Sequence, residues 1–275
     1  MSRAARLIVG VTTVVVFAAI GLAARAALDS GSSSPTASSS AAPRAAPGAP
    51  PAPVGGSTSP SFDPGAATAD PSGRGQALVA HAKARSVLAY PRAGGKGKAV
   101  RVHALRVEGR AAPLVFLVDR RQGNWVRVAV GRRPNGSKGW LRASDVSLSS
   151  TTYRVEVQLR RHRLIAWKGA KAILRANIAV GKALSPTPKG RYFIADLIKP
   201  RNPRGFYGPY AFGLSAYSSV YTSFAGGDGQ VGIHGTSAPG AIGRDVSHGC
   251  IRVGNAIIER LAKRIPLGSP VEITR

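Results

Sequence analysis

The residues best suited to chemistry lie together in the segment 231–253. Its only cysteine, Cys250, follows His248 by two residues, and a second histidine, His234, comes earlier. The thiolate is the nucleophile, and a neighbouring imidazole can accept the thiol proton, so cysteine and histidine form a minimal acyl-transfer pair. Gly249 lets a carbonyl approach the backbone closely, and amide N–H groups around it can bind an oxyanion. The segment therefore predicts nucleophilic acyl transfer by Cys250.

Two other interpretations fit the same residue types. Zinc accepts nitrogen and sulfur ligands, so His234, His248 and Cys250 could form a metal site with Asp245 as a fourth ligand. Against this, no further cysteine or histidine lies nearby to complete a set. The other interpretation is that both histidines pack in a core beside a buried structural cysteine. A single cysteine allows no intrachain disulfide, so an exported chain would carry an unpaired thiol.

The motif decides between these interpretations by resemblance. Ser247-His-Gly-Cys-Ile-Arg, preceded by His234-Gly-Thr, resembles the signature of the L,D-transpeptidase (YkuD-type) catalytic domain. That signature is a histidine, a loop, and then serine or threonine followed by His-Gly-Cys. The resemblance extends over about residues 153–275 and includes Thr187-Pro-Lys-Gly. Many members have asparagine two places after the cysteine, whereas this chain has Arg252, as another large subgroup does.

The resemblance implies a role for each residue of the motif. Cys250 would attack the third-residue carbonyl of a peptidoglycan stem tetrapeptide and release D-alanine. His234 would serve as proton acceptor and donor. His248 and Ser247 would shape and polarise the site. The amides of Gly249 and Cys250 would form the oxyanion hole.

The resemblance leaves the second half of the reaction open. An amine from a neighbouring stem would give a 3→3 cross-link, whereas a protein amine or water would make the chain an anchoring enzyme or an L,D-carboxypeptidase. Arg252 would either bind a substrate carboxylate or brace the loop. No metal or organic cofactor is implied. The non-enzymatic alternative is a wall-binding protein with an inactive domain, which the complete set of Cys250, His234 and His248 disfavours.

The elements that must position this motif are predicted to be mostly β, with one or two short helices. The stretch Tyr153-Arg-Val-Glu-Val-Gln-Leu-Arg alternates apolar and polar residues, which is typical of a half-buried strand. Asn255 is predicted to cap a helix from Ala256 to Arg264. Further strands are predicted at Arg163–Trp167, Ala172–Val180, Arg191–Asp196 and Val271–Thr274. With the resemblance, residues 153–275 are predicted to form an L,D-transpeptidase-like β-sandwich catalytic domain.

Residues 84–147 are predicted to form a separate small β module. Short apolar runs there are divided by turn signals, of which Asn135-Gly136 is the strongest. Trp125 and Trp140 are expected to pack inside it. Strands are predicted at Ser86–Tyr90, Lys98–Leu105, Pro113–Val118, Asn124–Val130 and Gly139–Leu141. The module is similar to the small β region that precedes this catalytic domain in actinobacterial relatives, and we expect it to be structural or wall-binding.

The N-terminal quarter is predicted to deliver the folded part outside the cytoplasm. Arginines precede the uncharged apolar residues 7–24, so residues 1–28 are predicted to be a signal peptide or a signal anchor in contact with the membrane. Residues 29–74 are rich in alanine, proline, serine and glycine and cannot supply a core, which predicts a disordered tether. The expected location is the cell wall, either secreted or anchored.

The formal net charge of +27 indicates an anionic partner. Residues 1–74 hold five arginines and three aspartates, so about +25 of this charge lies on the remainder. The basic residues are scattered, without a run of five or an aromatic–basic ladder, and this argues against nucleic acid. Stem peptides carry many carboxylates, and anionic cell-wall polymers are a further possible partner.

Overall fold

The computed structural model describes residues 75–107, 110–223 and 227–275. The predicted signal segment 1–28 and tether 29–74 lie outside the described residues. The fold is mostly β, as predicted, with one α-helix in the described ranges. That helix is too short to cross a membrane, and these ranges hold no other candidate span.

The first sheet belongs to the small β module and is antiparallel, with strand order β8-β7-β6-β1-β9. Along β7 the buried Val126 and Val128 alternate with more exposed neighbours, so one face forms a core. The sheet extends beyond the predicted 84–147 on both sides, through β1 and β9. The strands of this part are β1 (Ala77–Ala82), β2 (Ser86–Ala89), β3 (Val100–His103), β4 (Arg106–Val107), β5 (Arg110–Ala111), β6 (Val115–Gln122), β7 (Trp125–Ala129), β8 (Lys138–Arg142) and β9 (Val146–Thr151).

The second sheet has eight strands in the order β12-β11-β10-β19-β14-β15-β16-β18. Its strand β19 lies between β10, to which it is parallel, and β14, to which it is antiparallel. Two short strands, β13 and β17, pair separately. The elements are β10 (Tyr153–Gln158), β11 (Arg163–Lys168), β12 (Lys171–Asn177), β13 (Val180–Gly181), β14 (Gly190–Ile198), β15 (Ala211–Tyr217), β16 (Gln230–His234), β17 (Asp245–Ser247), β18 (Ile251–Arg252), α1 (Asn255–Ala262) and β19 (Pro270–Thr274).

The two halves of this sheet share one core, which gives the domain its sandwich character. Leu164 on β11 and Leu174 on β12 belong to the same buried cluster as Phe212 on β15 and Ile251 on β18. A bulge in β14 between Ile194 and Asp196 bends the sheet between the halves. Strand β15 was not predicted from the sequence. Its residues are all buried, so apolar and polar residues do not alternate along it.

The helix α1 closes the core but begins differently from the prediction. Ile258 and Leu261 are its buried residues, three apart on one face. The predicted N-cap Asn255 is wrong: the cap is Gly254, and Asn255 is the first helical residue. The Asn255 side chain instead accepts a hydrogen bond from the Thr236 N–H at 2.8 Å. It thereby ties the helix start to the loop that follows β16.

A small buried cluster joins the β module to the part of the chain that forms the second sheet. Phe193 on β14 is 1% exposed and packs with Val79 of β1 and with Val115 and Leu117 of β6. A fully buried phenylalanine removes a large apolar area from water on folding. The two parts of the described structure are therefore packed together as one compact unit.

Replacing Phe193 with alanine should lower the free energy of unfolding by about 3–5 kcal/mol, since a buried aromatic is lost and a cavity remains. Urea denaturation of the full chain measures this change. Leu184→Ala is the matched control, because Leu184 is 82% exposed and its loss should change stability by less than about 0.5 kcal/mol. Equal stabilities for the two variants would show that the cluster does not hold the parts together.

Candidate active site

Parallel pairing of β16 with β18 places the residues that follow Cys250 beside the strand that ends at His234. Ile233 is the register partner of Ile251, and His234 is the partner of Arg252. The Gly232 N–H donates to Cys250 Sγ at 3.4 Å. Gly232 and His234 are two residues apart on one strand, so both face the same side of the sheet. The thiol therefore sits beside the strand that carries the imidazole.

His234 is held in a single tautomer. Its Nδ1 lies 2.6 Å from the Gly235 carbonyl oxygen, and because a carbonyl only accepts, Nδ1 must carry the proton. Burial, as the main cause, lowers the pKa of His234 to about 4, so the ring is neutral at pH 7. Its Nε2 is buried without a hydrogen-bond partner among the described residues. The lone pair of His234 is thus left on Nε2.

Cys250 is a half-buried thiol that is protonated at rest. Burial raises the pKa of the Cys250 thiol, while the Gly232 N–H and the positive charge of Arg252 act in the opposite direction. Both members of the pair are therefore neutral at pH 7, in contrast to a thiolate–imidazolium ion pair. Such a thiol needs a base at the moment of attack.

The turn before Cys250 is folded by the Ser247 hydroxyl. Ser247 is 1% exposed, and its Oγ donates to the Cys250 carbonyl at 2.6 Å and accepts from the Gly249 N–H at 3.1 Å. Gly249 has φ +121°, a conformation that favours glycine. These bonds fix where the thiol points. They also show that the Gly249 N–H is already engaged in this state.

Aromatic side chains that were not predicted from the sequence surround the two histidines. Phe206 and Tyr207 cover the His234 ring, with ring centroids 5.6 and 5.0 Å away, and Tyr221 meets the His248 ring edge-on at 5.6 Å. Tyr207 also lies near Cys250, since burial and then the cysteine's charge raise the pKa of Tyr207. In the sequence, Phe206 and Tyr207 belong to the aromatic-rich run Gly205-Phe-Tyr-Gly-Pro-Tyr. The spacing of this run is not typical of a catalytic motif.

The thiol opens into a groove, and four of the predicted residues line it. Cys250, Ser247 and His248 form one side with Arg252, whose guanidinium carbon lies 4.7 Å from the Phe206 ring centroid. His234 is 1% exposed and is not among the residues that line the groove. The opposite side is lined by residues from two other segments, Ser218 and Tyr221 from one and Gly229 and Gln230 from the other.

A buried carboxyl group that the sequence did not reveal supports this opposite side. Asp196 is 1% exposed, and burial raises its pKa. The Gln230 Nε2 donates to Asp196 Oδ2 and to the Leu214 carbonyl, at 3.0 Å each. Both donors of one amide nitrogen are thereby used, and the Gln230 side chain is fixed at the groove.

The donors required by the zinc interpretation do not converge. Asp245, its fourth ligand, bonds instead to His162, with 2.7 Å between Oδ1 and the ring Nε2. Across the described ranges, no group of three or more histidine, cysteine, aspartate or glutamate side chains could hold a metal ion.

Comparison with known proteins identifies the domain that carries this site. The family model of the YkuD L,D-transpeptidase catalytic domain matches residues 152–273. A Bacillus licheniformis protein named "Putative L,D-transpeptidase YkuD" is 36% identical over 122 residues, which are 44% of this chain and 66% of that protein. Its Bacillus subtilis namesake is 35% identical over 123 residues, 45% of this chain and 66% of that protein.

Among solved structures, L,D-transpeptidase 3 from Mycobacterium tuberculosis is similar to this chain, with 14% identity and a TM-score of 0.38. The similarity covers 50% of this chain and 74% of the solved chain. The match to the Bacillus proteins spans just under two thirds of their length. Residues 152–273 of this chain match the model of the L,D-transpeptidase catalytic domain family, and the similarity to the Bacillus proteins covers about the same length.

Proposed function

We propose that this chain is a peptidoglycan L,D-transpeptidase that forms 3→3 cross-links through an acyl-enzyme on Cys250. The donor is a stem tetrapeptide and the acceptor is an amine of a neighbouring stem. The match of residues 152–273 to the L,D-transpeptidase catalytic domain supports the reaction class.

The observation that carries the proposal is the Gly232 N–H bond to Cys250 Sγ at 3.4 Å, which places the thiol beside the strand that ends at His234. A protonated thiol is a poor nucleophile, and a buried neutral imidazole with a free Nε2 lone pair can accept its proton. The Gly235 carbonyl keeps the proton on Nδ1 and also stabilises the imidazolium that forms. The pair thus supplies a base and a nucleophile from one rigid strand pair.

The reaction proceeds in two acyl-transfer steps. Cys250 Sγ attacks the third-residue carbonyl as His234 takes the thiol proton, and the amide bond to D-alanine breaks when His234 returns that proton to the leaving amine. The acceptor amine then attacks the thioester, its proton passes to His234, and the thiolate leaves and recovers that proton. The Cys250 N–H is the proposed oxyanion donor, with the Gly249 N–H shared between Ser247 Oγ and the oxyanion.

Arg252 is the proposed binding group for a substrate carboxylate. Its side chain lines the groove beside Cys250, and its Nε is buried without a hydrogen-bond partner among the described residues. A planar guanidinium can bind a carboxylate through two hydrogen bonds. The strongly positive chain would concentrate acidic stem peptides near this groove. We propose that His248, across from Tyr221, shapes the groove beside it.

The proposed place of action is outside the cytoplasm, at the cell wall. The substrate is assembled there, and the apolar residues 7–24 after two arginines suit export. The segment 29–74 would then let the catalytic domain work away from the membrane surface.

Intact-mass measurement of the full chain with a carbapenem tests this proposal. Attack by Cys250 on the β-lactam carbonyl breaks the ring C–N bond and retains the whole molecule, so the mass should rise by one carbapenem. Incubation with disaccharide-tetrapeptide should then release D-alanine and yield 3→3 dimers. Tripeptide without dimers would indicate a carboxypeptidase instead. A chain that takes up no carbapenem and releases no D-alanine would be a wall-binding protein.

A further inference from the structure

The small β module reaches into the groove wall opposite Cys250. The chain between β7 and β8 includes Arg133 and Asn135, and both side chains contact segments that line the groove. These segments are the end of β15 with the residues after it, 217–221, and the residues 228–230 that lead into β16. We name them together the opposite wall.

Asn135 binds the opposite wall as another strand would. Its Nδ2 donates to the Tyr217 carbonyl at 2.8 Å, and its Oδ1 accepts from the Tyr217 N–H at 2.8 Å. The Tyr217 hydroxyl in turn donates to the Gly131 carbonyl at 3.0 Å, in the same module loop. Three hydrogen bonds therefore connect one residue of the wall to one loop of the module.

Arg133 ties the two segments of the wall to each other. Its Nη2 donates to the Tyr221 carbonyl at 2.7 Å and to the Asp228 carbonyl at 3.0 Å. The guanidinium also lies over the Tyr217 ring, 5.0 Å from the centroid. A charged donor makes a stronger hydrogen bond than a neutral one, and this one spans both segments.

The opposite wall contacts His248 and lines the same groove as Cys250. Tyr221 meets the His248 ring, and Gly229 and Gln230 line the groove together with Cys250. At Gly229 a Cβ atom would lie against the Tyr221 carbonyl and the Arg133 guanidinium. The hydrogen bonds of Arg133 to both segments therefore require glycine at this position. Small displacements of groups that position a substrate can cost about 10²-fold in rate.

We propose that Arg133 and Asn135 are positioning residues of the catalytic groove, so that the β module sets the geometry in which the donor peptide meets Cys250. This inference rests on the proposed function. It assigns the module a part in catalysis, in contrast to the purely structural or wall-binding role expected from its sequence.

The test compares Arg133→Ala and Asn135→Ala with Arg132→Ala in the full chain. Arg132 is exposed in the same loop and makes no hydrogen bond to the wall among the described residues, so its loss removes a charge that also acts on Tyr217 but none of the bonds that hold the wall. We expect carbapenem acylation and D-alanine release from the tetrapeptide to fall about 10- to 100-fold in the first two variants and to stay within twofold in the third. The double variant should lose less than the product of the single losses, because both side chains hold one wall.

A second measurement distinguishes a loss of substrate positioning from a loss of the folded structure around Cys250. Iodoacetamide is too small to need the groove wall, so its rate of alkylating Cys250 should stay within about twofold in every variant that unfolds cooperatively. Arg133→Lys, which can donate to one of the two carbonyls, should recover part of the acylation rate. Should Arg133→Ala fail to fold, Asn135→Ala and Arg133→Lys make the same comparison.

Each contrary result is distinct. Acylation by Arg133→Ala and Asn135→Ala at the rate of Arg132→Ala would overturn the inference and leave the proposed function intact. Equal losses of acylation and alkylation would show that the contacts only maintain the fold, which also overturns it. A wild-type chain that is neither acylated nor releases D-alanine would refute the proposed function, and the inference with it.

Discussion

Replacing Cys250 with alanine should abolish carbapenem acylation and tetrapeptide turnover while leaving the fold intact. Loss of the nucleophile from a serine protease that works by the same acyl-transfer logic costs about 10⁶-fold, which here would fall below detection. Stability should change little, because the thiol is half-buried and accepts a single weak hydrogen bond, from the Gly232 N–H. Intact mass, D-alanine release and thermal unfolding measure the three properties.

Cys250→Ser is the matched comparison for this experiment. It keeps the size of the side chain and an acceptor for the Gly232 N–H, but a hydroxyl is a much weaker nucleophile than a thiol at neutral pH. Both variants should therefore unfold cooperatively and be inactive. If either variant formed 3→3 dimers, Cys250 would not be the nucleophile. If Cys250→Ala lost cooperative unfolding, the cysteine would be a packing residue.

Replacing His234 with glutamine should lower the rate of acylation by about 10²–10⁴-fold at pH 7, the usual contribution of a general base. With its pKa near 4, wild-type His234 is a neutral base throughout the neutral range, so the wild-type rate should be nearly level from about pH 5 to pH 8. Without the base, the rate depends on spontaneous thiolate, whose fraction rises about tenfold per pH unit below the thiol pKa. Because burial raises that pKa, the rescue should still be incomplete at pH 9.

His248→Gln is the control for the His234 experiment. His248 lines the groove against Tyr221, so its loss should cost less and should leave the level pH profile in place. Acylation rates from pH 5 to pH 9.5 for both variants give the comparison. If only the His248 variant recovered at alkaline pH, His248 would be the base and His234 the residue that shapes the site.

The turn that holds Cys250 could be predicted from the sequence because its contacts are local. Ser247, Gly249 and Cys250 form one turn whose hydrogen bonds run within four residues, so their types and spacing carry the information. Regular alternation likewise predicted β10. The helix cap was predicted wrongly at Asn255 because a backbone N–H far along the chain, that of Thr236, competes for the same side chain.

The rest of the site could not be predicted because tertiary contacts assemble it. Phe206 reaches His234 from a loop before β15, and Asp196 reaches Gln230 from a bulge in β14. Arg133 is separated from Tyr221 by 88 positions. Neither the residue types nor local spacing indicate that these side chains meet, since an isolated arginine or aspartate is usually a solvated surface group.

The position of β19 in its sheet has a consequence for how the enzyme is made. Among the described strands β19 comes last in the sequence, yet it lies within the sheet, and Thr274 on it donates to the Val157 carbonyl 117 positions away. Without β19, the strands β10–β12 and the strands β14–β16 are not paired with each other. Folding must therefore be late and slow, as expected when pairing is dominated by distant contacts. A chain without the residues from Pro270 onward would hold Cys250 and His234 and still lack the strand that joins the two parts of the sheet.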